Sequence, residues 1–555
     1  MGAVPAFTGA EQIRLTFRAP AGGPLVCDAL LPLDGARRAV AIPDPGGDPV
    51  DLWVEYFGAP PDPARLAAGV SRGIDLAAGG DVPVRVWPAE QFACAGGLQV
   101  TARAFHTATL LPTGEVLIVG GAVAHPEDLS DELTAGPDDR RRLFATASVE
   151  IYDPVRARAT QLSAGSLQPR ALHQAALIST DPIQVAVFGG LTINGDVTQA
   201  PVLVEGTGTD LLRWMPGPQA ISAATEILTY DPASSTITVT LVDDPTARGL
   251  LAAAAPEGPV GAMPPVIAGG FTDATASAAV LRADALDPAA LTPTGMATLA
   301  SPRIGATLTP LDADDALLWG GHIPPAATPP SPPGERLVTL ASAPAAQALT
   351  FDGASAAAAQ RAFHAAARAG DGSVIVAGGF TIDAAGALVP EPRFGQRIQA
   401  GAMVLVSDLA ITDAVPAGYL AALSLPGGDV LISGGNPAID DAGCIAADPG
   451  IGCATGAAYL YHDASTALAR TGVLVRPRYG QQTTLLADGT VLVSGGLGIG
   501  GALEVVDDAE IYDPRTADPL VDLAPGVTRL PGDVARDGAD QPVATCPVIE
   551  IEPAP

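Results

Sequence analysis

The stretch RAFHTATLLPTGEVLIVGG, residues 103–121, decides how this chain is read. An alternating segment, a Pro-Thr-Gly turn, an apolar segment and a glycine pair describe two antiparallel strands joined by a tight turn. Glycine pairs recur at 120/121, 189/190, 269/270, 320/321, 378/379, 434/435 and 495/496. The intervals are 69, 80, 51, 58, 56 and 61 residues, close to a repeat of roughly 50 residues with insertions. After several pairs a third strand ends in Asp-Pro: VEIYDP at 149–154, ILTYDP at 227–232 and EIYDP at 510–514. A fourth follows, as at 236–242. Four strands per unit and seven units predict a β-propeller, with six blades as the alternative count.

Such a blade cannot bury both of its faces alone, so blades stack in a ring, which also protects the sheet edges. Composition agrees with this. Gly and Pro number 63 and 53 of 555 residues, and 48% of the chain is hydrophobic, which suits many short strands with turns between them. A net charge of -31 with no lysine disfavours nucleic acid or an anionic membrane as partner, since both demand clustered cations. No apolar run reaches 18 residues, so no membrane-spanning helix is expected.

Residues before 94 lack the repeat. Candidate strands at 13–17, 25–31, 39–42, 50–57, 69–76 and 82–87, separated by Pro-Gly turns, predict a small β-sandwich, immunoglobulin-like or transthyretin-like, over 1–93. In 50–56 the alternation sets Leu52, Val54 and Tyr56 on one face and Asp51, Trp53 and Glu55 on the other, as in a half-buried strand. The fold class is therefore all-β: a sandwich, a propeller over 94–526, and a tail over 527–555. Ring closure needs a strand from the other end of the chain, supplied either by 83–87 or by the stretch after Pro514.

The pattern of residues 103–121 followed by A-x-I-Y-D-P resembles the bacterial kelch-repeat propellers over about residues 100–525. That group includes the copper radical galactose oxidase and glyoxal oxidase enzymes, whose first-strand motif resembles R-x-Y-H with Tyr and His as copper ligands. This chain has Phe105-His106, Leu172-His173 and Phe363-His364 at those positions, so the ligand tyrosine is missing. Its one Tyr-His pair, Tyr461-His462, stands in a third strand instead. A sialic acid epimerase, another enzyme of this kind, has no specific support in the motifs.

An arginine precedes the first strand of several blades: Arg103, Arg170, Arg303, Arg361 and Arg478, with His106, His173 and His364 three positions after three of them. Read as a binding site, they form a cationic ring at the channel mouth that grips carboxylates or sugar hydroxyls. Read as repeat consensus, they hold neighbouring blades together. The second reading is favoured, because residues recurring in every repeat usually serve the repeat. Zinc, P-loop and hydrolase motifs are absent. Acidic groups at Asp533, Asp537 and Asp540, and at Asp440, Asp441 and Asp448, match no full calcium loop and read as solvated loops, so no metal or cofactor is expected.

Turns between strands one and two are short, whereas length variation gathers at 122–146, 191–222, 322–334, 380–400 and 436–456, on the opposite face of the disc. Recognition belongs on that face. Of five cysteines, Cys444 and Cys453 share one long loop and are expected to bridge. Cys94 and Cys546 flank the propeller and are paired across its closure, leaving Cys27 buried and free; Cys27 with Cys94 is the alternative. Disulfides imply an exported protein of the envelope or exterior whose leader is missing, against a cytoplasmic alternative with reduced thiols. Function is expected to be non-catalytic binding of a polysaccharide or protein partner. A carbohydrate-active enzyme of oxidase or epimerase type and a purely architectural envelope protein are the alternatives.

Overall fold

The computed structural model describes residues 9–19, 25–34, 38–40, 42, 47–59, 65–78, 82, 84, 86–95, 101–124, 143–191, 224–243, 248–254, 265–270, 282–287, 291, 293–322, 332–352, 360–382, 388–401, 403–412, 414–437, 454–499, 503–514, 527–528, 536–537 and 548–550. The chain divides into two compact units, Met1–Ala93 with Ala487–Val491 and Ile511–Pro555, and Cys94–Leu486 with Leu492–Glu510. All regular structure among the described residues is β.

In the first unit five strands form one antiparallel sheet in the order Leu25–Pro32, Gln12–Arg18, Val50–Phe57, Arg65–Ile74, Val86–Pro88. Arg38–Val40 pairs instead with Val548–Glu550. Phe17, Cys27, Ala29 and Val50 make the core, and Val40 packs on it. The half-buried expectation for Val50–Phe57 is corrected: Asp51, Trp53 and Glu55 are 2%, 5% and 2% exposed. Register explains how charges are tolerated there. Arg14 stands opposite Glu55 and Arg18 opposite Asp51 on the adjacent strand, so each carboxylate has a cationic cross-strand neighbour.

Seven four-stranded antiparallel sheets follow among the described residues, one per glycine pair, so the count is seven. Blade 1 is Thr107–Leu110, Val116–Val119, Val149–Asp153 and Arg158–Leu162; blade 2 is Gln174–Thr180, Ile183–Phe188, Ala224–Asp231 and Thr236–Asp243. Blades 3 to 6 repeat this order, ending respectively on Pro293–Thr298, Ala345–Ala348, Val404–Leu409 and Ala467–Val473. Second strands such as VLIV at Val116–Val119 and VIVA at Val374–Ala377 are continuously apolar because both faces are buried. Leu117, Val119 and Ile151 of blade 1 share a core with Val185, Val187 and Leu228 of blade 2, and the later seams repeat this. Each first strand neighbours the next around the ring, including Gln482–Leu485 against Thr107–Leu110.

Blade 7 comprises Gln482–Leu485, Val491–Ser494, Ala509–Tyr512 and, outermost, Phe92–Cys94. Neither expected closing segment supplies this strand. Val86–Pro88 is already the last strand of the five-stranded sheet, and the strand that starts four residues after it takes the place instead, with the Ala95 N–H donating to Ala509 O at 2.9 Å.

The glycine pair is the joint between blades. Gly120 and Gly121 have φ of +61° and +105°. A Cβ on Gly120 would lie 2.7 Å from Arg170 O and 2.8 Å from the His173 ring, both of the next blade. Gly121 N–H donates to Arg170 O at 2.8 Å, and Gly496 N–H closes the circle on Arg103 O at 2.8 Å. Only glycine provides both the left-handed backbone and the room.

Candidate functional site

The arginines singled out in the sequence lie inside the seams, not at a channel mouth. Arg103, Arg170, Arg303, Arg361 and Arg478 are at most 1% exposed, as is Arg248, which the sequence reading missed. Each donates from Nη1 to the carbonyl of the first glycine of its blade: Gly120, Gly189, Gly269, Gly320, Gly378 and Gly495, at 2.7, 3.0, 3.1, 2.9, 2.7 and 2.9 Å. Five also pair with a buried third-strand carboxylate. These pairs are Arg103–Glu150, Arg170–Glu226, Arg248–Asp284, Arg303–Glu335 at 2.8 Å and Arg478–Glu510 at 2.6 Å. Several carboxylates accept a further backbone N–H from the incoming connection: Thr101 onto Glu150 at 2.9 Å, Ala300 onto Glu335 at 2.8 Å and Val475 onto Glu510 at 2.8 Å. These added bonds offset part of the desolvation that burying each ion pair costs.

Two blades depart from the pattern, each in a concerted way. In blade 5 the carboxylate position holds Gln396, which donates to Asp408 at 2.6 Å, and Arg361 relies on the carbonyls of Gly378, Arg393 and Phe394. Burial lowers the Arg361 guanidinium to about 10. In blade 6 the arginine position is Ala417 and the carboxylate position is Tyr459. The Tyr459 phenol takes over the carboxylate's task, accepting the Val415 N–H at 2.8 Å. Its ring lies 4.5 Å from that of Phe394.

The histidines are staples between blades. His173 Nε2 meets Thr107 Oγ1 at 3.0 Å, His364 Nε2 meets Thr307 Oγ1 at 2.8 Å, and His106 Nε2 meets Ser494 Oγ at 2.9 Å across the closure. In blade 7 Gln481 does the same, donating to Ser433 O at 2.8 Å. Burial, and then the adjacent arginine charge, push the three imidazoles well below their ordinary range. They are neutral hydrogen-bonding groups. His322, similarly buried and against Phe380 O, is lowered by burial to about 4.

Between arginine and staple stands one residue per blade with positive φ: Phe105, Leu172, Leu250, Gly305, Phe363, Tyr419 and Gly480. Their backbones link blade to blade. Leu172 N–H donates to Phe105 O, Phe363 to Gly305, Tyr419 to Phe363, Gly480 to Tyr419 and Phe105 to Gly480, at 2.8 to 3.2 Å. Aromatic side chains of three of these residues gather with Phe380 and Tyr479. Tyr419 has Phe363, Phe380 and Phe105 at centroid distances of 5.1, 5.5 and 5.7 Å and Tyr479 at 6.3 Å. Burial raises the Tyr419 phenol above its ordinary value.

These residues do not fit a copper centre of the oxidase type. Phe105, Leu172 and Phe363 stand where the tyrosine ligand belongs, and the Nε2 of each following histidine is engaged by a hydroxyl in a separate seam. No group of three metal-ligating side chains occurs among the described residues. Tyr461 is buried in a third strand, and His462 beside it meets Asp429 at 3.0 Å.

Cys94 is an exposed free thiol, so neither proposed bridge to it forms; the strand it ends is already the outer edge of blade 7. Cys27, expected to be free, is buried and disulfide-bonded. Cys444, Cys453 and Cys546 lie outside the described residues, as do Asp440, Asp441, Asp448, Asp533 and Asp540.

No protein-family model and no curated protein matches the chain. Among solved structures, a fungal alcohol oxidase with catalytic diversity among the AA5 family, in complex with copper, is similar with a TM-score of 0.49 at 15% identity, over 76% of this chain and 75% of that one.

Proposed function

We propose that the chain is a non-catalytic binding protein of the kelch-repeat propeller type, recognising a polysaccharide or a protein partner through the face that carries its long strand connections. The observation that supports this is where the chain extends the blades. Connections between second and third strands lengthen into two-stranded ladders in three blades: Ala122–Ala124 with Leu143–Ala145, Phe380–Ile382 with Leu388–Pro390, and Leu497–Ile499 with Leu503–Val505. Those of blades 1 and 7 touch each other. Meanwhile the repeated arginines, acids and histidines are consumed by the seams. A rigid ring with variable extensions on one face is the arrangement that positions recognition loops. The buried disulfide at Cys27 supports an oxidising compartment, hence the envelope or exterior of a bacterial cell. No helix among the described residues is long and apolar enough to cross a membrane.

The test is binding to a broad glycan and polysaccharide array by the intact protein and by a variant in which residues 125–142 are replaced with a short Gly-Ser link. Specific binding lost in the variant supports the polysaccharide reading. Silence across the array removes it and leaves a protein partner. Chemical turnover of any arrayed sugar would overturn the non-catalytic proposal.

A further inference from the structure

Cys27 is fully buried and disulfide-bonded, and Cys94 is a free thiol. The chain has five cysteines, so the second sulfur of the Cys27 bond belongs to Cys444, Cys453 or Cys546.

Reach separates these three. Around Cys27 stand Phe17, Ala29 and Val50, with Val40 and Ile42 packed on them, all in the first unit. Cys444 and Cys453 share one connection of blade 6, within the stretch Cys94–Leu486 of the second unit. Cys453 directly precedes Ala454, which is buried with Phe105 and Tyr479 in the propeller. Cys546 falls in Ile511–Pro555, which belongs to the first unit, and stands two residues before Val548. Val548 is opposite Val40 in the ladder that joins Arg38–Val40 to Val548–Glu550.

We infer that Cys27 is bonded to Cys546, and that this bond clasps the C-terminal strand Val548–Glu550 to Arg38–Val40. Residues two apart on a strand share a face, and so do residues opposite each other in an antiparallel ladder. Two residues onward, the register sets position 546 opposite Ile42, whose side chain packs with that of Val40 on the core around Cys27. Two residues span no more than ~7 Å, so Cys546 cannot stray far from the ladder. The ladder in turn needs a clasp. It has three pairs in two strands, and a two-stranded pairing is marginal in water. It also joins opposite ends of the chain, and closing so long a loop costs conformational entropy that a covalent bond takes over. Formation is a thiol–disulfide exchange. The two thiols give up two protons and two electrons to the disulfide of an oxidising carrier, whose S–S bond breaks as this one forms and which leaves as a dithiol.

Tryptic digestion of the intact chain without reduction, after free thiols are alkylated in urea, tests the pairing by mass spectrometry. Cleavage at arginine puts Cys27 in peptide 19–37, Cys546 in 537–555, Cys94 in 86–103, and both Cys444 and Cys453 in 398–470. A species joining 19–37 to 537–555, released as both peptides on reduction, is expected. Cys27 recovered alkylated, or joined to 398–470 or to 86–103, overturns the inference. Amide exchange reads the clasp. In Cys546→Ser, Arg38–Val40 is expected to lose protection while Val374–Ala377 of blade 5 keeps it, which separates release of the strand from loss of fold. Full protection of Arg38–Val40 in that variant would show that the ladder holds without the bond, and would overturn the clasp.

Discussion

At the scale of the residue, the seams are built from groups whose ordinary chemistry burial has suppressed. His106, His173 and His364 are neutral in the folded chain because burial and a neighbouring arginine lower their affinity for protons. An unfolded histidine titrates near ~6.5. The folded values lie below that, so the unfolded state binds more protons, and the staples' contribution is complete above about pH 6.5 and lost as pH falls toward the folded values. Glu226 and Glu510, whose carboxyls burial raises, act in the opposite sense at lower pH. Each histidine therefore removes up to ~1.4 kcal/mol per pH unit below pH 6.5. Because blade 7 already uses Gln481 in this role, His173→Gln keeps the seam. Urea midpoints at pH 7.5 and 5.5 are expected to show the variant losing less stability than wild type between them, by on the order of 1 kcal/mol; an equal loss would place the acid sensitivity elsewhere.

Glycine supplies a second contrast among residues. Gly114 has a φ of +86° and open space around its Cβ direction, whereas Gly120 faces the next blade's backbone at 2.7 Å. Gly114→Ala costs about 1 kcal/mol of backbone strain. Gly120→Ala must also push the seam apart and is expected to cost several times more, read as the difference in urea unfolding free energy. Equal costs would mean that conformation alone explains the glycine pairs.

At the scale of the element, the strands and the glycine pairs were legible in the sequence because turn chemistry and periodicity are local. Val50–Phe57 was placed correctly, yet its charged face was not recognised as buried, since only the register with Gln12–Arg18 brings Arg14 and Arg18 beside its acids. Arg248 escaped because it stands 21 residues before Gly269, whereas Arg103, Arg303, Arg361 and Arg478 each stand 17 before their glycine. Its acid partners escaped for another reason. The second-to-third connections differ so much in length that no fixed spacing links Arg103 to Glu150 and Arg303 to Glu335; the signal is their place in the third strand, two residues before Tyr152 in E-I-Y. Phe92–Cys94 is too short to announce itself as the outer strand of blade 7. Removing residues 1–95 is expected to raise amide exchange in Ala509–Tyr512, which loses its outer neighbour; unchanged protection there would show that the strand is dispensable.

For the whole molecule, two sets of backbone hydrogen bonds join blade to blade: one from second glycines of the pairs to the carbonyl of Arg170, Arg303, Arg361, Ala417, Arg478 or Arg103 of the next blade, the other linking Leu172, Phe105, Gly480, Tyr419, Phe363 and Gly305. The polar side chains of the repeat are engaged within the same seams. Blade 6 has exchanged both members of the ion pair, for Ala417 and Tyr459, whereas blade 5 keeps Arg361 on carbonyl oxygens with Gln396 at the acid's position. The most direct measurement is a double-mutant cycle by urea unfolding with Arg303→Met and Glu335→Leu, singly and together. Either single change strands a buried charge and is expected to cost ~3–5 kcal/mol, and the double to cost less than either single. A chain whose stability is indifferent to Arg303→Met alone would contradict the account, for that arginine would then be free to serve something other than the ring.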